Sequence, residues 1–69
     1  MQDKEAKEVL GSRLRKYRLE REWSLTRLSQ VTRIAASALW YMEQGKRKPS
    51  DVSLYKIKKA LPGLIEEIA

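Results

Sequence analysis

Residues 24–45 read SLTRLSQVTRIAASALWYMEQG, two short amphipathic segments joined by a tight connection. Apolar residues stand at Leu28, Ile34, Leu39 and Met42, with polar or small residues between them. Leu28 and Thr32 are four apart, one helical turn, and so leave the same side of the first segment. Leu39 and Met42, three apart, do likewise in the second. The pattern predicts a helix, a turn and a second helix whose inward faces share one core. Ile34, in the connection, reads as an apolar plug filling the angle between them. The residues left outside the second helix are Ala36, Ser37, Trp40 and Tyr41.

Working outward, the boundaries of this unit are marked by local chemistry. Trp23 and Leu28 flank Ser24 in the spacing of a hydrophobic staple, with Ser24 as N-cap. The segment starting near Ala36 has no Ser, Asp or Asn to cap it, a deficit of about 1 kcal/mol, and Gly45 is placed to end it in the left-handed conformation. Upstream, residues 4–22 predict a helix with acids in the first turn and Arg and Lys later, as the helix dipole favours. Asp3 can cap it, and Leu10, Leu14 and Tyr17 form its apolar stripe. Gly11 costs this helix about 1 kcal/mol, so either the helix starts near it or another backbone packs closely there; a frayed start before Val9 is the expectation. Downstream, Lys46, Arg47, Lys48 and Pro49 form a basic loop. Ser50 or Asp51 then caps a helix over 51–61, with Leu54, Ile57 and Leu61 inward. Pro62 and Gly63 break it, and a short last helix over 63–68 carries Leu64, Ile65 and Ile68, too few residues to be stable without docking on the domain or on a second copy. The reading is one all-α domain, residues 1–69, with five helices at about 4–22, 25–32, 36–44, 51–61 and 63–68.

Composition narrows the function. The 69 residues hold neither Cys nor His, which removes disulfides, a thiol nucleophile, an imidazole base and an ordinary zinc site. No pair of titratable groups is placed like an acid and a base in a pocket, so the expectation is no enzyme, no catalytic residue, no metal and no cofactor. No apolar run approaches the roughly 18 residues of a membrane span, no secretory leader is visible, and the expected compartment is the cytoplasm. The net charge is +6, and residues 13–59 hold thirteen Lys or Arg against four acids. A basic field of this kind favours a polyanion such as nucleic acid or an anionic membrane surface.

Taken together, these residues resemble the Cro and phage-repressor (XRE-like) type of helix-turn-helix domain. Leu10-Gly11, Arg13, Arg15 and Arg18 look like that family's first helix. Ser24-Leu25, Leu28, Ile34, Leu39, Met42, Glu43 and Gly45 look like its helix-turn-helix. Residues 46–50, KRKPS, with Leu54, Ile57, Ala60 and Leu61 look like its basic loop and fourth helix. The resemblance implies a compact lambda-repressor-like fold and binding of double-stranded DNA, with the third helix in the major groove and a homodimer on paired half-sites.

Carried over by position, the base-facing residues are Ala36, Ser37, Trp40 and Tyr41, and the phosphate contacts are Thr26, Arg27, Arg33, Lys46, Arg47 and Lys48. Dimerisation falls to Leu64, Ile65 and Ile68. Arg18 and Glu43 become an ion pair tying the first helix to the third. Four departures matter. Ala36 and Ser37 are short where the family more often has Gln, Arg or Asn; Ala can touch only a thymine methyl, and Ser reads a base weakly. Leu25 stands where many members have a phosphate-holding Gln, leaving Thr26 and the helix amides for that task. Arg33 replaces the turn Gly, at about 1–2 kcal/mol if left-handed, which predicts a remodelled turn. Ser29 replaces a small Ala and needs a hydroxyl partner.

The functional expectation is a dimeric DNA-binding transcriptional regulator of repressor type. The alternative is a protein-protein interaction module on the same fold, with a protein partner in place of DNA. It is motivated by the apolar third helix and by Thr32-Arg33-Ile34 with Tyr55, which look somewhat like the cytoplasmic domain of bacterial cell-shape proteins. Separately from either function, Trp40 and Tyr41 also admit a purely structural reading, as outlying core residues instead of a recognition surface.

Overall fold

Leu10 and Leu14 lie one helical turn apart, and both are buried; the helix that carries them is α1, Asp3–Glu20. It is followed by α2, Leu25–Thr32, α3, Ala36–Glu43, and α4, Asp51–Ala60. The computed structural model describes the backbone of residues 3–64 and the side chains of residues 9–64. Among these residues the secondary structure is entirely helical, four helices in place of the expected five. The chain after α4 makes a turn in which the Leu64 N–H donates to the Leu61 carbonyl at 3.3 Å. The remainder of the expected last helix lies outside the described residues.

α1 and α2 both pack on α3, and α2 also packs on α4. The core between them holds Leu10, Leu14, Leu28, Ile34, Leu39, Met42, Ile57, Leu61 and Leu64, with Tyr17, Trp23, Leu25, Val31 and Leu54 half-buried around it. Leu64, assigned above with Ile65 and Ile68 to a dimer surface, is therefore a core residue of its own chain and is withdrawn from that surface. Ile65 and Ile68 lie outside the described residues. Among the described residues no helix is long and apolar enough to cross a membrane.

Gly11 corrects the expected start of α1. The helix runs through Gly11 without a break, and the second explanation of that glycine holds: a Cβ built there would collide with the Met42 carbonyl oxygen, and would lie 3.3 Å from the Glu43 carbonyl oxygen. Only a residue without Cβ lets α1 cross the end of α3 this closely.

Both ends of the helix-turn-helix are fixed by capping. At its start, Ser24 Oγ accepts from the Arg27 N–H at 3.0 Å. Just before it α1 ends two residues earlier than expected, because Glu22 adopts φ 57°. The Trp23 N–H reaches the Arg18 carbonyl and the Glu22 N–H the Leu19 carbonyl, both at 3.0 Å, the paired bonds of a Schellman end. The end of α3 repeats the pattern with Gly45 at φ 71°: Lys46 N–H to Tyr41 carbonyl at 2.9 Å and Gly45 N–H to Met42 carbonyl at 3.0 Å. α3 begins without a side-chain cap, at Ala35.

The turn between α2 and α3 keeps its left-handed residue. Arg33 sits at φ 61° and ψ 35° and donates its N–H to the Ser29 carbonyl at 2.7 Å, so the turn is not remodelled. Three side chains hold it: Ser29 Oγ donates to the Ile34 carbonyl at 2.6 Å, Thr32 Oγ1 to the Leu28 carbonyl at 2.8 Å, and Lys56 Nζ to the Arg33 carbonyl at 3.1 Å. Ser29 thus finds the partner its hydroxyl needs, and Lys56 ties the turn to α4. α4 is capped by Ser50, whose Oγ accepts from the Ser53 N–H at 3.2 Å.

Candidate nucleic-acid interface

The orientation of α3 is set from beneath by one ion pair. Arg18 on α1 makes a bidentate contact with Glu43 on α3, Nε to Oε2 at 2.8 Å and Nη2 to Oε1 at 2.9 Å, and its Nη1 donates to the Trp23 carbonyl at 3.0 Å. The Glu43 side chain is 2% exposed and that of Arg18 15%. The hydrogen bonds that Arg18 donates to Glu43 hold its guanidinium above its ordinary pKa, against the opposing effect of burial. One guanidinium thereby joins α1, the start of the helix-turn-helix and the end of α3.

With Leu39, Met42 and Glu43 turned inward, residues at about 100° per step place Ser37, Trp40, Tyr41 and Gln44 on the opposite, exposed side of α3. Trp40 is 41% and Tyr41 47% exposed, so neither is a core residue. Their rings meet edge to face, centroids 5.1 Å apart and planes at 80°, and Lys46 Nζ lies 5.4 Å from the Trp40 ring centre. The helix and the basic loop are thus joined through Trp40. Ala36 sits at the edge of this face and is half-buried, whereas Ser37 is exposed.

Lys46, Arg47 and Lys48 are all exposed, while Pro49 behind them is buried and roots the loop. At the N-terminus of α2, Thr26 and Arg27 are exposed, and the amides of Leu25 and Thr26 lie in the first turn, where a helix has no acceptor of its own for them. An anion fits there. Arg27 stands 5.9 Å over the Trp23 ring from one side; Arg21 lies 5.9 Å over the same ring and 3.2 Å over that of Tyr17. Arg33 is exposed at the turn, its carbonyl held by Lys56.

Cations dominate the helix-turn-helix span, which the exposed acids Glu22 and Asp51 flank. Across residues 23–50 the exposed charged side chains are Arg27, Arg33, Lys46, Arg47 and Lys48, and the span's one acid, Glu43, is buried on Arg18. Reasoning from the sequence missed Gln44, which falls between Trp40 and Tyr41 on the exposed side of α3. It also missed Arg21 and Trp23, which stack beside Arg27. Helical angle would have found Gln44; the stack depends on the fold of the α1–α2 corner, which no spacing announces.

A family model described as a helix-turn-helix domain matches residues 9–55, a range that contains α2, α3 and the basic loop. The chain is also similar to uncharacterized HTH-type transcriptional regulators of Mycobacterium bovis and Mycobacterium tuberculosis, 34% identical over 56 residues. That match covers 81% of this chain and 22% of each relative, so the chain spans less than a quarter of their length. No solved structure matches it. With α2, the turn and α3 packed on one core and the matched range covering most of the chain, this protein belongs to the helix-turn-helix domain family.

Proposed function

We propose that this domain is the DNA-binding part of a transcriptional regulator of repressor type. In this reading α3 enters the major groove and two copies occupy paired half-sites about one helical turn apart. The observation that carries the reading is the excess of positive charge on the helix-turn-helix span: five exposed cations and no exposed acid across residues 23–50, with Lys46 set against Trp40 on the exposed face of α3. Its similarity to proteins named transcriptional regulators supports the same conclusion. Phosphate contacts from Thr26, Arg27, Arg33, Lys46, Arg47 and Lys48 supply most of the affinity. α3 adds a modest sequence preference, partly through DNA shape. The apolar residues Ile65 and Ile68 are assigned to pairing.

A fluorescence-anisotropy titration of duplex DNA against salt tests this. Replacing Lys46, Arg47 or Lys48 singly with Ala is expected to weaken binding to all sequences alike. Each loss should flatten the log–log salt slope by about 1 per protomer. At saturation two protomers per duplex are expected. A changed sequence preference with an unaltered slope would count against the phosphate assignment.

A further inference from the structure

The exposed side of α3 carries more aromatic surface than phosphate binding uses. Trp40 and Tyr41 are both two-fifths or more exposed, although the core is closed without them by Leu39 and Met42. Their edge-to-face contact at 5.1 Å holds the two rings as one unit, and the Lys46 ammonium 5.4 Å from the Trp40 ring sets a cation at its rim. Within residues 23–50 the exposed charges are all cationic, which favours a polyanionic occupant over a basic protein surface. In the major groove of duplex DNA the base edges are polar except for one feature, the methyl group on C5 of thymine. Cytosine methylated at C5 presents the same group.

We propose that Trp40 and Tyr41 read C5-methylated pyrimidines, so that the domain prefers duplexes presenting thymine or 5-methylcytosine methyl groups to α3. This rests on the reading that α3 enters the major groove. The small neighbours favour it: Ala36 and Ser37 cannot form a bidentate pair with a base edge, and their size lets the rings approach the groove floor. Covering a methyl on an aromatic face removes both apolar surfaces from water, the equivalent of about 0.8 kcal/mol per methyl-sized group, or about fourfold in affinity.

The test compares two A·T-rich duplexes of one sequence, the second with uracil for every thymine. Charge and hydrogen-bonding edges are identical and only the methyls are lost. A second pair compares a G·C-rich duplex with its 5-methylcytosine form. Wild type is expected to bind the uracil duplex about fourfold more weakly per contacted methyl and the methylated G·C duplex correspondingly more tightly, with unchanged salt slopes. The double variant Trp40→Ser, Tyr41→Ser, which removes two rings that lie outside the core, should bind both members of each pair equally. Equal binding of thymine and uracil duplexes by wild type overturns the inference and leaves DNA binding standing. An equal uracil penalty in wild type and the double variant also overturns it, by assigning the effect to duplex shape. No binding of any duplex at low salt overturns the DNA reading together with this inference.

Discussion

Arg18→Ala is expected to lower the stability of the domain by about 3–5 kcal/mol, because it leaves the Glu43 carboxylate, 2% exposed, without its counter-charge. The same change frees the Trp23 carbonyl from Arg18 Nη1 and loosens the corner from which α2 starts. In a chain of 69 residues, whose whole stability is on the order of 0.05–0.15 kcal/mol per residue, such a loss removes roughly a third or more of the total. Urea unfolding followed by far-ultraviolet circular dichroism measures it. Arg18→Met combined with Glu43→Leu removes both charges together and is expected to cost less than either single change, since an apolar replacement of a buried pair is often close to neutral. A loss below about 1 kcal/mol for Arg18→Ala would show that the pair does not hold α3 in place.

Gly11→Ala sets two effects against each other. Alanine is the better helix former by about 1 kcal/mol, so on propensity alone the variant gains stability. The new Cβ, however, meets the Met42 carbonyl oxygen, and that oxygen cannot retreat cheaply because it accepts the Gly45 N–H that ends α3. Overpacking of this kind costs about 1–3 kcal/mol net, equivalent to a fall in Tm of roughly 4–8 °C per kcal/mol in a domain of this size. A larger residue such as Val is expected to do worse still. An unchanged or higher Tm for Gly11→Ala would mean that α1 and α3 do not cross as closely as described.

Where one residue type can do a job, the sequence was legible. Ser24 with its Trp23 and Leu28 flanks marked the start of α2 to the residue, Gly45 marked the end of α3, and the inward positions Leu10, Leu14, Leu28, Leu39, Met42, Ile57 and Leu61 are all in the core. Legibility ended where a residue of ordinary type takes an unusual conformation. Glu22 is left-handed, a position where glycine would have announced the turn, and the expected α1 ran two residues too long in consequence; Arg33, left-handed too, was placed at its turn only through the resemblance. Gly11 could be read as a helix start or as a close approach, and only its contact with Met42 on α3, far away in sequence, decides between them. Leu64 looked like surplus apolar surface because nothing local shows that the turn after α4 folds it back into the core.

The exposed side of α3 was the hardest part to read. Leu39, Trp40, Tyr41 and Met42 are consecutive apolar residues; the spacing turns Leu39 and Met42 inward, but it does not by itself exclude a core role for Trp40 and Tyr41. The ion pair from Arg18 to Glu43 fixes the rotation of the helix, and with it the exposure of Trp40 and Tyr41. That rotation is also why Ala36 lies half-buried at the edge of the face while Ser37 and Gln44 stand out from it.

On the proposed function, the α2 N-terminus, the exposed side of α3 and the basic loop form one surface for duplex DNA. The most direct measurement is a titration of the isotopically labelled domain with a random-sequence duplex at low salt, followed by amide chemical shifts. The largest changes are expected at Leu25, Thr26 and Arg27, at Ser37, Trp40 and Tyr41, and at Lys46, Arg47 and Lys48, with all of them diminishing together as salt is raised. Changes confined to the other side of α1, around Lys16 and Glu20, or no change at all on adding duplex, would contradict it.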